Sequence, residues 1–315
     1  MESKNEIMKY IAIFILALSL YSCQEEFVPD NVDQAPDFVV EGFVEAGEGT
    51  NPVYILLTKS VPFLNEIGAE VFQELFVKGA AVDISDGDQT VRLTEICLSD
   101  LPDEIREEFA GQLGLDSDNL TVDYCIYLDV LDQLDRDFGN TYKLRIDIDG
   151  HELTAETSIP DLVPIDSIYF TEIPGDPIDS LAQMWVSIQD PAGPNFYRYF
   201  TDDGSGRITT SAFGSVTDDI FFEGESFDFP LTKASVRGAD VDPAIFGFFN
   251  VGDTTTLKWC TIDEGHYEFW STYEFNLNSQ GPFANYIRVN HNIEGGIGIF
   301  GGLAVDILRP VVEKE

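Results

Sequence analysis

The sequence predicts a mainly β protein. An N-terminal Ig-like or fibronectin-like antiparallel β-sandwich is followed by a second antiparallel β domain, sandwich or barrel-like, with one or two short helices. Three observations carry this. Apolar and polar residues alternate over runs of roughly four to eight residues, the period of a half-buried strand. The runs are rich in β-branched and aromatic side chains, including 24 Phe and 12 Tyr, which suit a pleated surface. Asp-Gly and related turn pairs separate the runs at hairpin spacing. A hydrophobic content of 44% is that of a globular chain, and the length beyond the leader suggests more than one core.

The leader comes first. Residues 1–10 carry Lys4 and Lys9, and Ile11 to Leu20 form an apolar block broken only by Ser19. A bilayer-spanning helix needs roughly 20 apolar residues, whereas a signal-peptide core needs about 7–15. Residues 1–22 therefore read as a signal peptide. Leu20-Tyr21-Ser22-Cys23 resembles a bacterial lipobox, with Tyr21 in place of the usual small residue. That resemblance implies that Cys23 is lipidated and becomes the mature N-terminus, held in outer-membrane lipid at about 0.8 kcal/mol per buried methylene. An ordinary signal peptide with a stray cysteine is the alternative. Gln24-Glu25-Glu26 resembles the acidic sorting signal of surface-exposed lipoproteins in Bacteroidetes-type bacteria. Residues 23–36, with Pro29 and Pro36, read as a tether.

Residues 37–162 carry the first sandwich. FVVEGFVE (38–45) and VYILLTKS (53–60) are strand-length runs. In AAVDISDGDQTVRLTEI (80–96), Val82 and Ile84 alternate, Asp86-Gly87-Asp88 turns, and Val91 and Leu93 resume the alternation. Ile105, Phe109 and Leu113 then recur at spacing four, an amphipathic helix within an insertion at 98–120. YCIYLDV (124–130) returns to strand. TYKLRIDIDGHELTAETSIP (141–160) is the clearest hairpin, with Tyr142, Leu144, Ile146 and Ile148 on one face and Asp149-Gly150 at the turn. Ile159-Pro160 and Val163-Pro164 place a boundary near 160–166.

Residues 163–315 form the aromatic-rich second domain. Its strand-like runs are IDSIYFTEI, MWVSIQD, NFYRYFTDD, DIFFEGESFDFPL, TTTLKWCTID and NYIRVNHNI. HYEFWSTYEFN (266–276) favours a helix, because Tyr267, Trp270 and Tyr273 or Glu274 fall three to four apart. Five glycines in 295–302 mark close backbone approach or tight bends.

Seven stretches together resemble a known group. They are the lipobox, PDFVVEGFVEAG, VYILLTKSVPF, VKGAAVDISDGD, NTYKLRIDIDGHELTAETSIPDLVPIDSIYF, QDPAGPNFYRYF and NIEGGIGIFGG. The chain resembles, over about 36–303, uncharacterised Bacteroidetes-type outer-membrane lipoproteins whose genes tend to lie beside TonB-dependent transporters. The resemblance implies a cell-surface protein that partners a transporter barrel in nutrient capture. It supplies no catalytic residues. A structural or adhesive envelope β-protein independent of any transporter is the alternative.

A formal net charge of −40 disfavours nucleic acid and anionic lipid head groups as partners, since both need a positive face. Of the four cysteines, Cys97 and Cys125 sit in strand-like surroundings on either side of the insertion. They are expected to pair in an oxidising compartment, with two buried free thiols as the alternative. Cys260 reads as core. No HExxH, P-loop, GxSxG, CxxC or Cys/His spacing appears, so no enzyme, cofactor or metal site is expected. Asp86-Gly87-Asp88 and Asp202-Asp203-Gly204 read as hairpin turns rather than calcium loops. Pro191 and Pro194 stiffen a turn ahead of Phe196, Tyr197 and Tyr199. These five are the candidate partner-binding residues, since aromatics beside an arginine populate interface hot spots as well as sandwich cores.

Overall fold

The computed structural model describes residues 37–61, 74–103, 105–106, 123–175, 178–212, 214–235, 242, 245–279 and 287–314. The leader, the tether and most of the helical insertion lie outside the described residues; within the insertion, residues 103, 105 and 106 are helical. In the first half the strands are β1 (Phe38–Ala46), β2 (Tyr54–Lys59), β3 (Ala81–Ser85), β4 (Thr90–Arg92), β5 (Thr94–Cys97), β6 (Cys125–Leu128), β7 (Thr141–Ile148) and β8 (His151–Ser158). In the second half come β9 (Ile165–Thr171), β10 (Leu181–Gln189), β11 (Phe196–Asp202), β12 (Ile208–Thr209), β13 (Val216–Asp218), β14 (Ser226–Leu231), β15 (Phe249–Asn250) and β16 (Leu257–Ile262). Helix α1 (Glu264–Asn278), β17 (Ile293–Glu294) and β18 (Ile297–Leu308) complete the order. The protein is mainly β and sandwich-like, and no sheet closes into a barrel among the described residues.

The two expected hairpins form where the turn chemistry places them. Asp149 and Gly150 both take positive φ, 50° and 79°, the backbone a two-residue turn between twisted strands requires. In β7 the side chains of Tyr142, Leu144, Ile146 and Ile148 are buried, and those of Thr141, Lys143 and Arg145 are exposed. NYIRVNHNI departs from expectation. Of its described residues only Ile293, the first of β17, is strand, because the backbone of Ile287 and Asn290 bonds to side chains of α1 instead, with Asn276 accepting from the Ile287 N–H at 3.1 Å.

The expected boundary at 160–166 does not divide the sheets. A nine-stranded sheet runs β12-β11-β16-β18-β1-β2-β6-β5, with β13 beside β11. It joins strands from both halves, because β18 lies parallel to β1, from Val39 opposite Ile297 to Ala46 opposite Ala304. The described residues accordingly form one compact unit. Glycine makes this pairing possible. Gly298 has φ +118°, and a Cβ there would lie 1.9 Å from the Val40 carbonyl oxygen. A Cβ on Gly302 would lie 2.2 Å from the Ser158 carbonyl oxygen. The glycine run thus lets β18 pass its own neighbours rather than a partner.

One face of the long sheet carries three cores, the third of them made by Val163, Ile188, Tyr197, Phe222 and Trp259. Val40, Val44, Ile55, Leu57 and Phe300 pack against Val82, Ile84, Leu144, Ile146 and Leu153 of the five-stranded sheet β17-β8-β7-β3-β4. Leu257 meets Phe170, Met184, Val186 and Phe249 of the four-stranded sheet made by β14, β10, β15 and β9. Each fully buried side chain of this kind contributes about 1.5–3 kcal/mol. On the opposite face, Cys260, Ile262, Leu303 and Val305 form a fourth cluster with Phe196 and with Tyr267 of α1.

Candidate functional site

The candidate partner-binding residues divide sharply. Pro191 and Pro194 are exposed. Tyr197 is fully buried, stacked 5.2 Å from Trp259 and 6.4 Å from Phe222. Tyr199 is half-buried in the second and third cores. Phe196 points to the other face and stacks on Tyr267 at 5.0 Å. The aromatics of β11 therefore pack within the protein, Tyr197 fully and Phe196 and Tyr199 in part. Both faces of β11 are covered, so its alternation carries apolar residues on both sides and gave no sign of which were free.

What the region does present is a turn. Residues 219–225 link β13 to β14, and the turn is braced from beneath. The Asp190 carboxylate accepts from the Tyr197 hydroxyl and, at 2.8 Å, from the Gly224 N–H. Burial, with the Asp190 carboxylate second, pushes the Tyr197 hydroxyl well up, so it stays a donor. Asp219 accepts from the Asn195 N–H at 2.7 Å, and Glu223 accepts from the Gly193 N–H at 3.2 Å. The Phe222 ring turns inward and stacks 4.5 Å from Phe227. Ile220 and Phe221 are left outward, 72% and 91% exposed. The exposed apolar side chains here belong to Ile220 and Phe221 rather than to the candidate residues of β11.

A second constellation lies between α1 and the long sheet. Asp263 caps the helix, accepting from the His266 N–H at 2.8 Å with one oxygen and from the Ser158 N–H at 2.9 Å with the other. This fixes His266, Tyr267, Trp270 and Glu274 on the face toward the sheet. Arg198 of β11 rises into them and is 3% exposed. Its Nε donates to Ser215 Oγ at 3.2 Å, its Nη1 lies 3.1 Å from His266 Nε2, and its Cζ lies 3.7 Å from the Trp270 ring centroid. Glu274 receives the Ser215 N–H at 2.8 Å and the Ser215 hydroxyl at 2.5 Å. Beside them Lys258 and Glu45 form a buried ion pair at 2.5 Å. Gly301 makes room for the imidazole, since a Cβ there would lie 2.4 Å from His266 Nδ1.

Arginine can only donate, so His266 accepts through Nε2 and is neutral with its proton on Nδ1. Burial pulls its pKa well below 6.5, and the positive charges of Arg198 and Lys258 add to this. Burial also draws Arg198 down to about 10, still charged at neutral pH. The Cys260 thiol beside them is pushed up to about 12 by burial, which makes it a poor nucleophile. The cluster is closed to solvent and suits holding the helix to the sheet.

Below about pH 6.5 the unfolded chain protonates His266 and the folded chain does not, so this group's contribution to stability falls as pH drops, by up to about 1.4 kcal/mol per unit. Glu41 faces the same cluster, and burial raises its pKa, which acts in the opposite sense at the acid end. The difference between wild type and His266→Gln isolates the histidine. Urea midpoints from pH 5 to 7 should show a flatter profile for the variant.

The other singled-out residues have local roles. Asp86 accepts from the N–H groups of Asp88 and Gln89. Asp202 accepts from those of Gly204 and Thr256. Both aspartates shape turns. Cys97 and Cys125 face each other across β5 and β6, with Cα atoms 4.0 Å apart, and form a disulfide. These two with Asp123 are the one group at metal-ligand spacing among the described residues, and the sulfurs are bonded to each other. An open groove on the outer face of the five-stranded sheet is lined by Asp83, Lys143, Arg145 and Glu156, which are already paired among themselves and with Arg92 and Glu152. Cys23 and Gln24 to Glu26 lie outside the described residues.

Fold and site together define a sandwich-like β protein whose buried polar groups brace its own helix and turns. The chain belongs to the family described as a domain of unknown function (DUF4249), whose model matches residues 24–309. No curated protein and no solved structure matches it.

Proposed function

We propose that the protein is a lipid-anchored, surface-exposed outer-membrane protein that acts as the accessory binding partner of a TonB-dependent transporter in nutrient capture. The observation that carries the reading is the order of parts at the N-terminus. An export leader over residues 1–22 is followed by Cys23 and an acidic tag, and the family match begins at residue 24. That is the arrangement a chain tethered by its first mature residue requires. The closed polar centre and the braced, outward turn support binding rather than turnover.

Fractionating cells that carry the full chain tests this. Wild type should stay with the membrane through a high-salt wash, be trimmed by protease added to intact cells, and bring a transporter with it. Cys23→Ala should move to the soluble fraction and lose the transporter. A variant that remains membrane-bound after the wash contradicts the anchor.

A further inference from the structure

We propose that the turn 219–225 is a docking element whose tip, Ile220 and Phe221, enters an apolar pocket with a basic rim on a protein partner. The proposal deepens the functional reading above and rests on it, because it names the surface through which the partner is held.

Single exposed apolar residues are ordinary on protein surfaces. This pair differs in three ways. The two side chains are adjacent and largely exposed, and Phe227, 38% exposed, stacks on the Phe222 of the same turn. They stand on a turn fixed from within by Asp190, Asp219, Asn195 and the inward Phe222. A fixed turn loses little freedom on binding, which is what lets a small apolar tip hold a partner. The same brace joins the turn to the 190–195 loop, in which Pro191 and Pro194 are exposed.

Charge selects the occupant. The 25 positions between Arg207 and Lys233 hold no basic residue and five acidic ones, Asp218, Asp219, Glu223, Glu225 and Asp228. Glu223 and Glu225 are exposed beside the tip. An anionic lipid surface would repel this rim, and so would a second copy of a chain with net charge −40. A protein pocket with an apolar floor and Lys or Arg around its mouth complements both features.

The experiment uses the full chain in its own host. A photo-reactive residue is placed at 221 and, as a control, at Asp88 in the exposed turn between β3 and β4. Phe221→Asp and Glu225→Lys are compared with wild type for co-isolation, with thermal melting confirming that each folds. The expected result is a cross-link from 221, not from 88, to the protein that wild type co-isolates. Phe221→Asp should lower that protein's recovery at least about tenfold, and Glu225→Lys should lower it at low salt and make what remains fall less steeply than wild type as salt is raised. If wild type co-isolates a partner that Phe221→Asp retains equally, the docking element is overturned and the partner reading stands. Cross-links from 221 only to lipid, or only to a second copy, also overturn it. If wild type co-isolates no protein, the functional reading fails and the inference falls with it.

Discussion

Arg198→Ala should cost about 3–5 kcal/mol of folding stability, the usual loss when one member of a buried charged cluster is removed. The guanidinium serves three partners at once, Ser215, His266 and the Trp270 ring. Alanine would leave a cavity beneath α1 and take away the positive charge that faces Glu274 and Glu41. Arg198→Lys should recover only part of the loss, because one ammonium cannot reach Ser215 Oγ and His266 Nε2 in the geometry of the planar fork. Urea denaturation at pH 7 measures both. If Arg198→Ala unfolds within about 1 kcal/mol of wild type, the cluster does not hold the helix to the sheet.

Replacing Cys97 and Cys125 together by serine should cost about 3–4 kcal/mol, the loop-closure entropy of a cross-link between residues 28 apart. Both cysteines are buried, 4% and 1% exposed, so a reductant should act on the native protein only slowly. Melting in the presence of reductant should bring wild type down to the variant and leave the variant unchanged. Equal stability of the two proteins without reductant would show that the bond contributes nothing to the folded state.

Much of the fold was legible because it is written locally. Alternation in Tyr142 to Ile148 and the Asp149-Gly150 pair specify β7, β8 and their turn without help from the rest of the chain. The helix was legible from the spacing of Tyr267, Trp270 and Glu274, and Asp263 is a capping residue that could have fixed its start. The sharing of one sheet by both halves was not legible. The parallel pairing of β1 with β18 joins residues more than 250 positions apart (about the whole length of the folded part), and nothing near Pro160 or Pro164 records it. Arg198 and His266 were hidden for the same reason, since they meet across 68 residues. The outward Ile220 and Phe221 were masked by their neighbours, because IFF within DIFFEGESFDF reads as strand and only the inward Phe222 distinguishes turn from strand.

We propose that the protein works at the cell surface as the fixed companion of a transporter. The most direct measurement is the composition of the complex isolated through the full-length wild-type chain from mildly solubilised outer membranes of its own host, with each component quantified. The account predicts a TonB-dependent barrel in near-equal amount to the protein, persisting through gel filtration as one species. The protein recovered alone, or with barrels only at trace level, would contradict it.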